Sequence, residues 1–435
     1  MLRTRIPALF NMFNDNIIKM RNPLLWTIIF YILSSRFVFA FETSDTINVN
    51  KLYQLIQEKK NILITNKVIV GDFIFGKINH NPNGRSTINV PIKIYESVFM
   101  DDVDFTFSEF QKELNFTRCV FNKKVQLGLR SKAPLPIKPI IHKEIVFDGA
   151  IFKDEFIAEG GIVFNGKVSF GIPQWPLIYI GIPVYTEGAV FHKRPKFYGA
   201  VFKKSLDFTN STFLNGVKFE YIHFEDELIM AGCEFNKNTE FNEIRELKRI
   251  DLRGVAINGV IDIPWELIED KFNYDGRFFI EIIKNYKKLE KFTDADEAYY
   301  IYRVEKRKKE HSWYSISNLL EMILLDWTCG YGVKPLRAII ASFAIVLVFS
   351  FFFMVDGAIK ERNNPNSKPN FSDALYFSAI TFTTIGYGDW YPTANQYKIW
   401  KFKLFKFRTL ATIEGMCGWI MLSLFLVSLG KVWIR

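Results

Sequence analysis

Apolar positions along the middle of the chain keep a step that suits neither a helix nor a plain strand. Phe stands at 99, 105, 110, 116 and 121, in steps of six and five, and the alternation returns at Phe191, Phe197, Phe202, Phe208, Phe213, Phe219 and Phe224. Phe147, Phe152, Phe164, Phe170, Phe235 and Phe241 fall in the same pattern. Helices repeat every 3.6 residues and strands every 2. A step of five to six instead predicts a square coil in which each unit forms one side. The ring points inward and stacks on its counterpart one coil away, and a small residue two places earlier (Ala150, Ala189, Ala200, Ser211) fills the corner. Two stretches interrupt the pattern: a Pro- and Lys-rich one over 122–144, and an apolar one over 171–188 that is expected to fold back on the coil, the alternative being contact with a partner or the membrane. Ahead of the coil, 42–94 reads as a small region of mixed short strands, with Val68-Ile69-Val70 entering a turn at Gly71-Asp72.

The period then changes. Over 264–330 apolar residues recur at helical spacing among Lys, Glu and Asp, which predicts two or three helices, including roughly 277–291 and 294–310. Asn318 to Trp327 is amphipathic and suited to the membrane interface. Ala338 to Val355 carries no charge and Thr409 to Leu429 carries one, Glu414. Each is long enough to cross a ~30 Å hydrocarbon core. Phe371 to Ile385 is apolar but too short to cross, so it should be re-entrant and covered by protein, because lipid cannot satisfy a broken backbone. At the start, Arg3, Arg5, Lys19 and Arg21 precede the apolar run Leu24 to Leu33 and then Val38-Phe39-Ala40. Residues 1–41 therefore read as a signal peptide or a membrane anchor. The expected units are 1–41, a β-rich region over 42–94, the coil over 95–263, a helical linker over 264–330 and a membrane unit over 331–435.

Composition trims the possibilities. With 49% hydrophobic and 23% charged residues, the membrane part must be a minority of the chain. The coil holds 20 of the 44 Phe residues, which supplies a cause for the aromatic excess. A net charge of +10 could suit nucleic acid, but the basic residues lie beside apolar stretches, which fits anchoring to anionic lipid and no nucleic-acid partner. Cys119, Cys233, Cys329 and Cys417 show neither disulfide nor metal spacing and read as small buried residues. His80, His142, His192, His223 and His311 are scattered, so no catalytic set, cofactor or resident metal is expected, and the chain does not read as an enzyme.

The chemistry sits in Thr381-Phe382-Thr383-Thr384-Ile385-Gly386-Tyr387-Gly388-Asp389, directly after the re-entrant segment. Consecutive carbonyls aim at one axis only if alternate residues take positive φ, which Gly386 and Gly388 permit cheaply. The carbonyls of Thr384, Ile385, Gly386 and Tyr387, with the Thr384 hydroxyl, could then replace the water shell of K+. One chain supplies a quarter of such a ring, so a homotetramer in the lipid bilayer is expected. Glu414 is the one ionisable residue in a span and a functional candidate on that ground; the alternative is a place near the interface, hydrogen-bonded to pore backbone. Gly415 and Gly418 either let their helix bend or allow close packing.

These residues carry two resemblances. Residues 330–430 closely resemble the two-transmembrane potassium channels, and about 95–260 resembles the pentapeptide-repeat family in its Phe-rich variant. Together they imply a multidomain membrane protein: a right-handed β-solenoid, a helical linker and an α-helical two-transmembrane pore with a re-entrant loop. The channel resemblance implies that Tyr376 and Phe377, with Tyr387, brace the filter, supported by Thr383 and Asp389. Ile380 stands where some channels carry Glu, so proton-linked control from that position is not expected. Cys329-Gly330-Tyr331-Gly332-Val333-Lys334-Pro335-Leu336 and Glu414-Gly415-x-x-Gly418-Trp419 are similar to a bacterial subgroup that joins a pentapeptide domain to this pore. The expected function is passive, potassium-selective conduction; the alternative is a weakly selective or non-conducting membrane-anchored binding module. No Arg-rich helix precedes the pore, so gating input should come through the solenoid and its unidentified ligand or partner, or from lipid. Lys360, Arg362, Lys368, Lys398, Lys401, Lys403, Lys406 and Arg408 lie between the spans, whereas Lys334, Arg337, Lys431 and Arg435 flank them outside. By the positive-inside rule the middle loop prefers the cytoplasm, which would put the solenoid on the other side; the cluster Arg303 to Lys309 argues the opposite way from further off.

Overall fold

A computed structural model describes residues 45–78, 84–128, 138–171, 188–271, 274–310, 315–386, 388–399 and 402–433. The signal-like segment 1–41, most of the insertion 171–188, and Tyr387, His311, Trp400 and Lys401 lie outside the described residues.

Short strands from Thr46–Asn48 to Ile261–Asp262 form four parallel sheets, the four faces of a square solenoid. Each strand pairs with the one a coil away, as Val120–Phe121 does with Val98–Phe99 and with Ile151–Phe152. Where the coil is uninterrupted the partners are 22 residues apart (Phe99 and Phe121, Phe213 and Phe235). The separation grows to 31 between Phe121 and Phe152 and to 39 between Phe152 and Phe191. Nine and seventeen residues are thus extruded while the register of the rings is kept.

The inward column Phe99, Phe121, Phe152, Phe191, Phe213 and Phe235 shows why. Successive centroids lie 4.8, 5.0, 4.9, 5.0 and 5.1 Å apart, with rings within 9° of parallel. That spacing is close to the 4.7–4.9 Å between hydrogen-bonded strands, so the backbone ladder and the ring stack satisfy one another. Two residues before each ring stand Ser97, Cys119, Ala150, Ala189, Ser211 and Cys233, all fully buried. The polar ones satisfy carbonyls distant in sequence: Cys119 Sγ donates to the Ile94 carbonyl at 3.2 Å and Ser211 Oγ to that of Phe170 at 2.9 Å. Burial pushes the Cys119 thiol up to about 12, which leaves it a small inert filler. Cys233 and Cys329 are buried as well, and Cys417 is half-buried.

One expected boundary is corrected. Residues 42–94 are not a separate region, because Ile69 pairs with Phe99, Ile88 with Phe110, Ile92 with Leu114 and Phe73 with Val103 in the same sheets. Ile69, Ile88, Ile92 and Ile94 fill inward sites there, and the two buried Phe, Phe73 and Phe75, are only two residues apart, so the coil is present without its five-to-six Phe signature. Helix α1 (Val49–Gln57), which the sequence reading did not expect, buries Val49, Leu52 and Ile56 against the first coil. At the other end α2 (Trp265–Ile268) and α3 (Gly276–Lys288) close the stack. The Asn285 amide accepts from Ile261 N at 2.8 Å and donates to Ile261 O at 2.7 Å, standing in for the missing next strand and blocking an open sheet edge.

Beyond the cap run α4 (Phe292–Glu310), α5 (Ile316–Glu321), a π-helical segment (Met322–Trp327), α6 (Pro335–Phe353), α7 (Phe371–Phe382) and α8 (Phe407–Trp433). Helices α6 and α8 are long and apolar enough to cross a membrane, and only 17% of each apolar window is buried. Phe343, Phe351, Trp419 and Val427 are among the side chains they leave exposed. Helix α7 packs between them without crossing.

Candidate functional site

Helix α7 is set at both ends by hydrogen bonds its sequence encodes. At its start Asn370 Oδ1 accepts from Asp373 N at 2.9 Å, and Asp373 Oδ2 accepts from Asn370 N at 3.0 Å, a reciprocal capping box. At its end Thr384 N donates to Thr381 O at 3.1 Å and Ile385 N to Ile380 O at 3.0 Å, the paired bonds of a Schellman motif. That motif needs a left-handed residue, and Thr384 takes the role with φ +56°. Gly386 follows at +56° and Gly388 at +82°, so every second residue from 384 to 388 is left-handed. The glycines were expected to do this; Thr384 was not, because Thr rarely adopts that backbone.

Residues 383–386, 388 and 389 are exposed in the single chain. The segment is tethered behind by Arg362 N, which donates to Asp389 O at 2.7 Å, and by strand Ile359–Glu361 pairing with Trp390–Pro392. Tyr376 reaches the Asp389 carboxylate at 3.4 Å. Phe377 turns the other way and packs edge-on against Phe353 of α6, centroids 4.9 Å apart.

Helix α8 touches the end of α7 at its glycines. A Cβ on Gly418 would lie 1.9 Å from the Phe382 carbonyl oxygen, whereas one on Gly415 would meet nothing nearer than the Thr381 carbonyl oxygen at 3.6 Å. Close approach therefore explains Gly418. Glu414, one turn earlier, is fully buried; its Oε1 bonds the hydroxyl of Ser378 in α7, and its Oε2 has no hydrogen-bond partner among the described residues. Ser378, in the middle of an apolar helix, was missed by sequence reading; a serine among apolar residues, with a lone carboxyl in the following span, was the available signal. Below Thr384 an apolar cleft of about 490 Å³ opens between α6 and α8, lined by Phe343, Val346, Phe382, Trp419 and Met421 among others.

A second cluster ties the solenoid side to both spans. Arg307 of α4, itself buried, pairs with Asp326 at 2.8 Å and donates to Tyr331 Oη at 2.9 Å and to Asn318 Oδ1 at 3.0 Å. Asp326 also accepts from Tyr300 Oη at 2.9 Å and lies 3.6 Å from Arg337 in the first turn of α6. Lys334 pairs with Glu297 at 3.0 Å, and Lys431, in the last turn of α8, sits 3.8 Å over the ring of Tyr299. Helix α4 thus holds one end of each span through neighbouring residues. Sequence spacing does not reveal this cluster, since the partners of α4 come from separate elements along the chain. Among the described residues no group of three His, Cys, Asp or Glu side chains is placed to hold a metal ion.

Comparison with known proteins agrees with this division. A family model described as "Ion channel" matches residues 339–435, and one described as "Pentapeptide repeats (9 copies)" matches residues 187–245. No curated protein and no solved structure gives a significant match. The chain joins a pentapeptide-repeat solenoid to an ion-channel unit of the two-transmembrane type, and so is a membrane protein. Neither family is one of enzymes.

Proposed function

We propose that this chain is one subunit of a homotetrameric, potassium-selective channel that conducts passively through residues 384–388. The observation that carries the reading is the run of left-handed backbone at Thr384, Gly386 and Gly388, beginning where α7 ends between two apolar spans. Alternation of this kind lets successive carbonyls face one axis, where four chains would surround a dehydrated K+. The permeant ion is K+, and no other cofactor is required. The negative end of α7 favours a cation beneath the ring. Exposure of the apolar Ile385 in a lone chain supports the need for other copies. Gating input enters from the solenoid, through an unidentified ligand or partner, and reaches the spans by way of α4.

We further place the solenoid outside the cytoplasm and the 384–389 end of the pore facing inward. The stretch from Gln396 to Arg408 holds five Lys and Arg and no acidic residue, whereas Arg303, Arg307 and Lys334, on the solenoid side, are matched by Glu321, Asp326 and Glu297. Purified full-length protein in liposomes tests the function. Potassium flux far above sodium flux is expected; equal fluxes would leave a weakly selective pore, and none would leave an anchored binding module.

A further inference from the structure

The junction behind α7 contains more hydrogen-bonded contacts than hydroxyl protons. Ser378 Oγ lies 2.8 Å from the Val346 carbonyl oxygen of α6 and also bonds Glu414 Oε1 of α8. Ser350 Oγ lies 2.7 Å from the same Val346 oxygen. A carbonyl only accepts, and each serine hydroxyl holds one proton. Ser350 spends its proton on Val346. If Ser378 does the same, the contact between Ser378 and Glu414 has a proton only if Glu414 supplies it. If Ser378 instead donates to a Glu414 carboxylate, its contact with Val346 brings two lone pairs together.

We propose that Glu414 is a neutral hydrogen-bond donor, not an anion, and that with Ser378 it forms a clamp fixing α7 against α6 and α8. The surroundings agree. Glu414 is fully buried, and among the described residues its second oxygen has no hydrogen-bond partner and no ion pair reaches it. The charged residues on the elements packed around it are Arg337 of α6, Asp373 of α7, and Arg408 and Lys431 of α8; Arg337 is engaged with Asp326 and Asp373 with its own cap. An unpaired carboxylate in such a place is costly, while a protonated one completes the count. Ser378 stands six residues before Thr384 on a rigid helix, and Gly418 grips Phe382 one turn further along. The clamp therefore sets the rotation and depth of α7, and through it the position of residues 384–388. Glu414 and Ser378 are positioning residues; neither touches the ion.

The inference about position rests on the channel reading, so its test has one arm that needs conduction and one that does not. In the first, full-length variants are reconstituted and the K+/Na+ permeability ratio is measured. Glu414→Gln keeps a donor of the same shape, and a ratio within about twofold of wild type is expected. Glu414→Ala and Ser378→Ala should each lower it roughly tenfold, and the double variant should be no worse than either. In the second arm, infrared difference spectra of wild type against Glu414→Gln should show a protonated-carboxyl C=O band missing from the variant, whether or not the protein conducts. A carboxylate band in its place would overturn the neutral donor, as would Glu414→Gln proving as damaging as Glu414→Ala. Wild-type selectivity in both alanine variants would overturn the clamp. Loss of flux in wild type itself would count against the channel and leave the infrared result standing.

Discussion

Gly386 and Gly418 look alike in sequence and are needed for opposite reasons. A Cβ on Gly386 would meet nothing within 4 Å, so Gly386→Ala costs only what a left-handed alanine costs, roughly 1–2 kcal/mol per chain. Multiplied over four subunits in one ring, that should abolish K+ over Na+ selectivity in liposome flux while assembly survives. Gly418→Ala has no backbone penalty but drives a methyl into the Phe382 carbonyl, so it should weaken assembly itself; Gly415→Ala, with ordinary contacts, should behave as wild type in the same measurements. In the solenoid, Asp148 offers a test of electrostatics. Burial pushes its carboxyl up to about 6, against the Ser169 hydroxyl that donates to it at 2.5 Å, with Asp207 adding to the rise and Lys167 opposing it. The folded state thus holds this proton more tightly than the unfolded chain. The associated stability is complete below an ordinary carboxylate value near ~4 and is lost as pH rises through about 6. Asp148→Asn should therefore be neutral near pH ~4 and stabilising above pH ~7, by up to about 3 kcal/mol, and melting curves of the two proteins at both pH values check the sign.

Among the elements, the solenoid was readable where its chemistry repeats and hidden where it does not. Phe202 and Phe213 were expected inside and are fully buried, each stacked on rings one coil above and below at 4.9 to 5.3 Å. Phe202→Ala should cost about 3–5 kcal/mol. Phe202→Leu should cost much less, because the ladder holds the backbone while Leu refills most of the volume; chemical denaturation of the full chain in detergent separates the two, and an unmoved midpoint for the alanine variant would contradict the inward register. The coils before residue 95 escaped notice because Ile69, Ile88 and Ile92 stand at inward sites and the buried Phe73 and Phe75 are two residues apart, which leaves no five-to-six signature. Both spans and the re-entrant α7 were readable from the length of their apolar runs. The left-handed Thr384 was not, since the Schellman bonds that impose it depend on where α7 stops, and residue type says little about a C-cap taken by threonine.

For the molecule as a whole, the question is how a solenoid with no visible path into the membrane could act on the spans. Helix α4 supplies the path: it follows the solenoid cap directly and holds α6 through Lys334 and Arg337 and α8 through Lys431. Removing the Arg307 side chain leaves the buried Asp326 carboxylate with the Tyr300 hydroxyl and, as counter-charge, the more distant Arg337, so Arg307→Met should destabilise this junction by about 3–5 kcal/mol. Adding Asp326→Asn should restore part of the loss, because the stranded charge rather than the lost bond is the main cost; thermal unfolding of single and double variants measures it. The same cluster bears on orientation. Its cations lie next to the spans, nearer than their place in the sequence suggested, but Lys334 faces Glu297, Arg307 and Arg337 share Asp326, and Lys431 sits over the Tyr299 ring, so they attract an anionic leaflet weakly. The stretch from Gln396 to Arg408 has no acidic residue to offset its five positive charges, and at about 1 kcal/mol per residue near an anionic surface the cytoplasmic leaflet should hold it. Impermeant thiol labelling in whole cells is well suited to this chain, since Cys119, Cys233 and Cys329 are buried and Cys417 lies within α8. A cysteine at Lys204 on the solenoid, an exposed site, should be labelled from outside, and one at the exposed Asn366 between the spans should be protected until the membrane is opened. Labelling of position 366 with protection of 204 would turn the molecule over and place the solenoid in the cytoplasm.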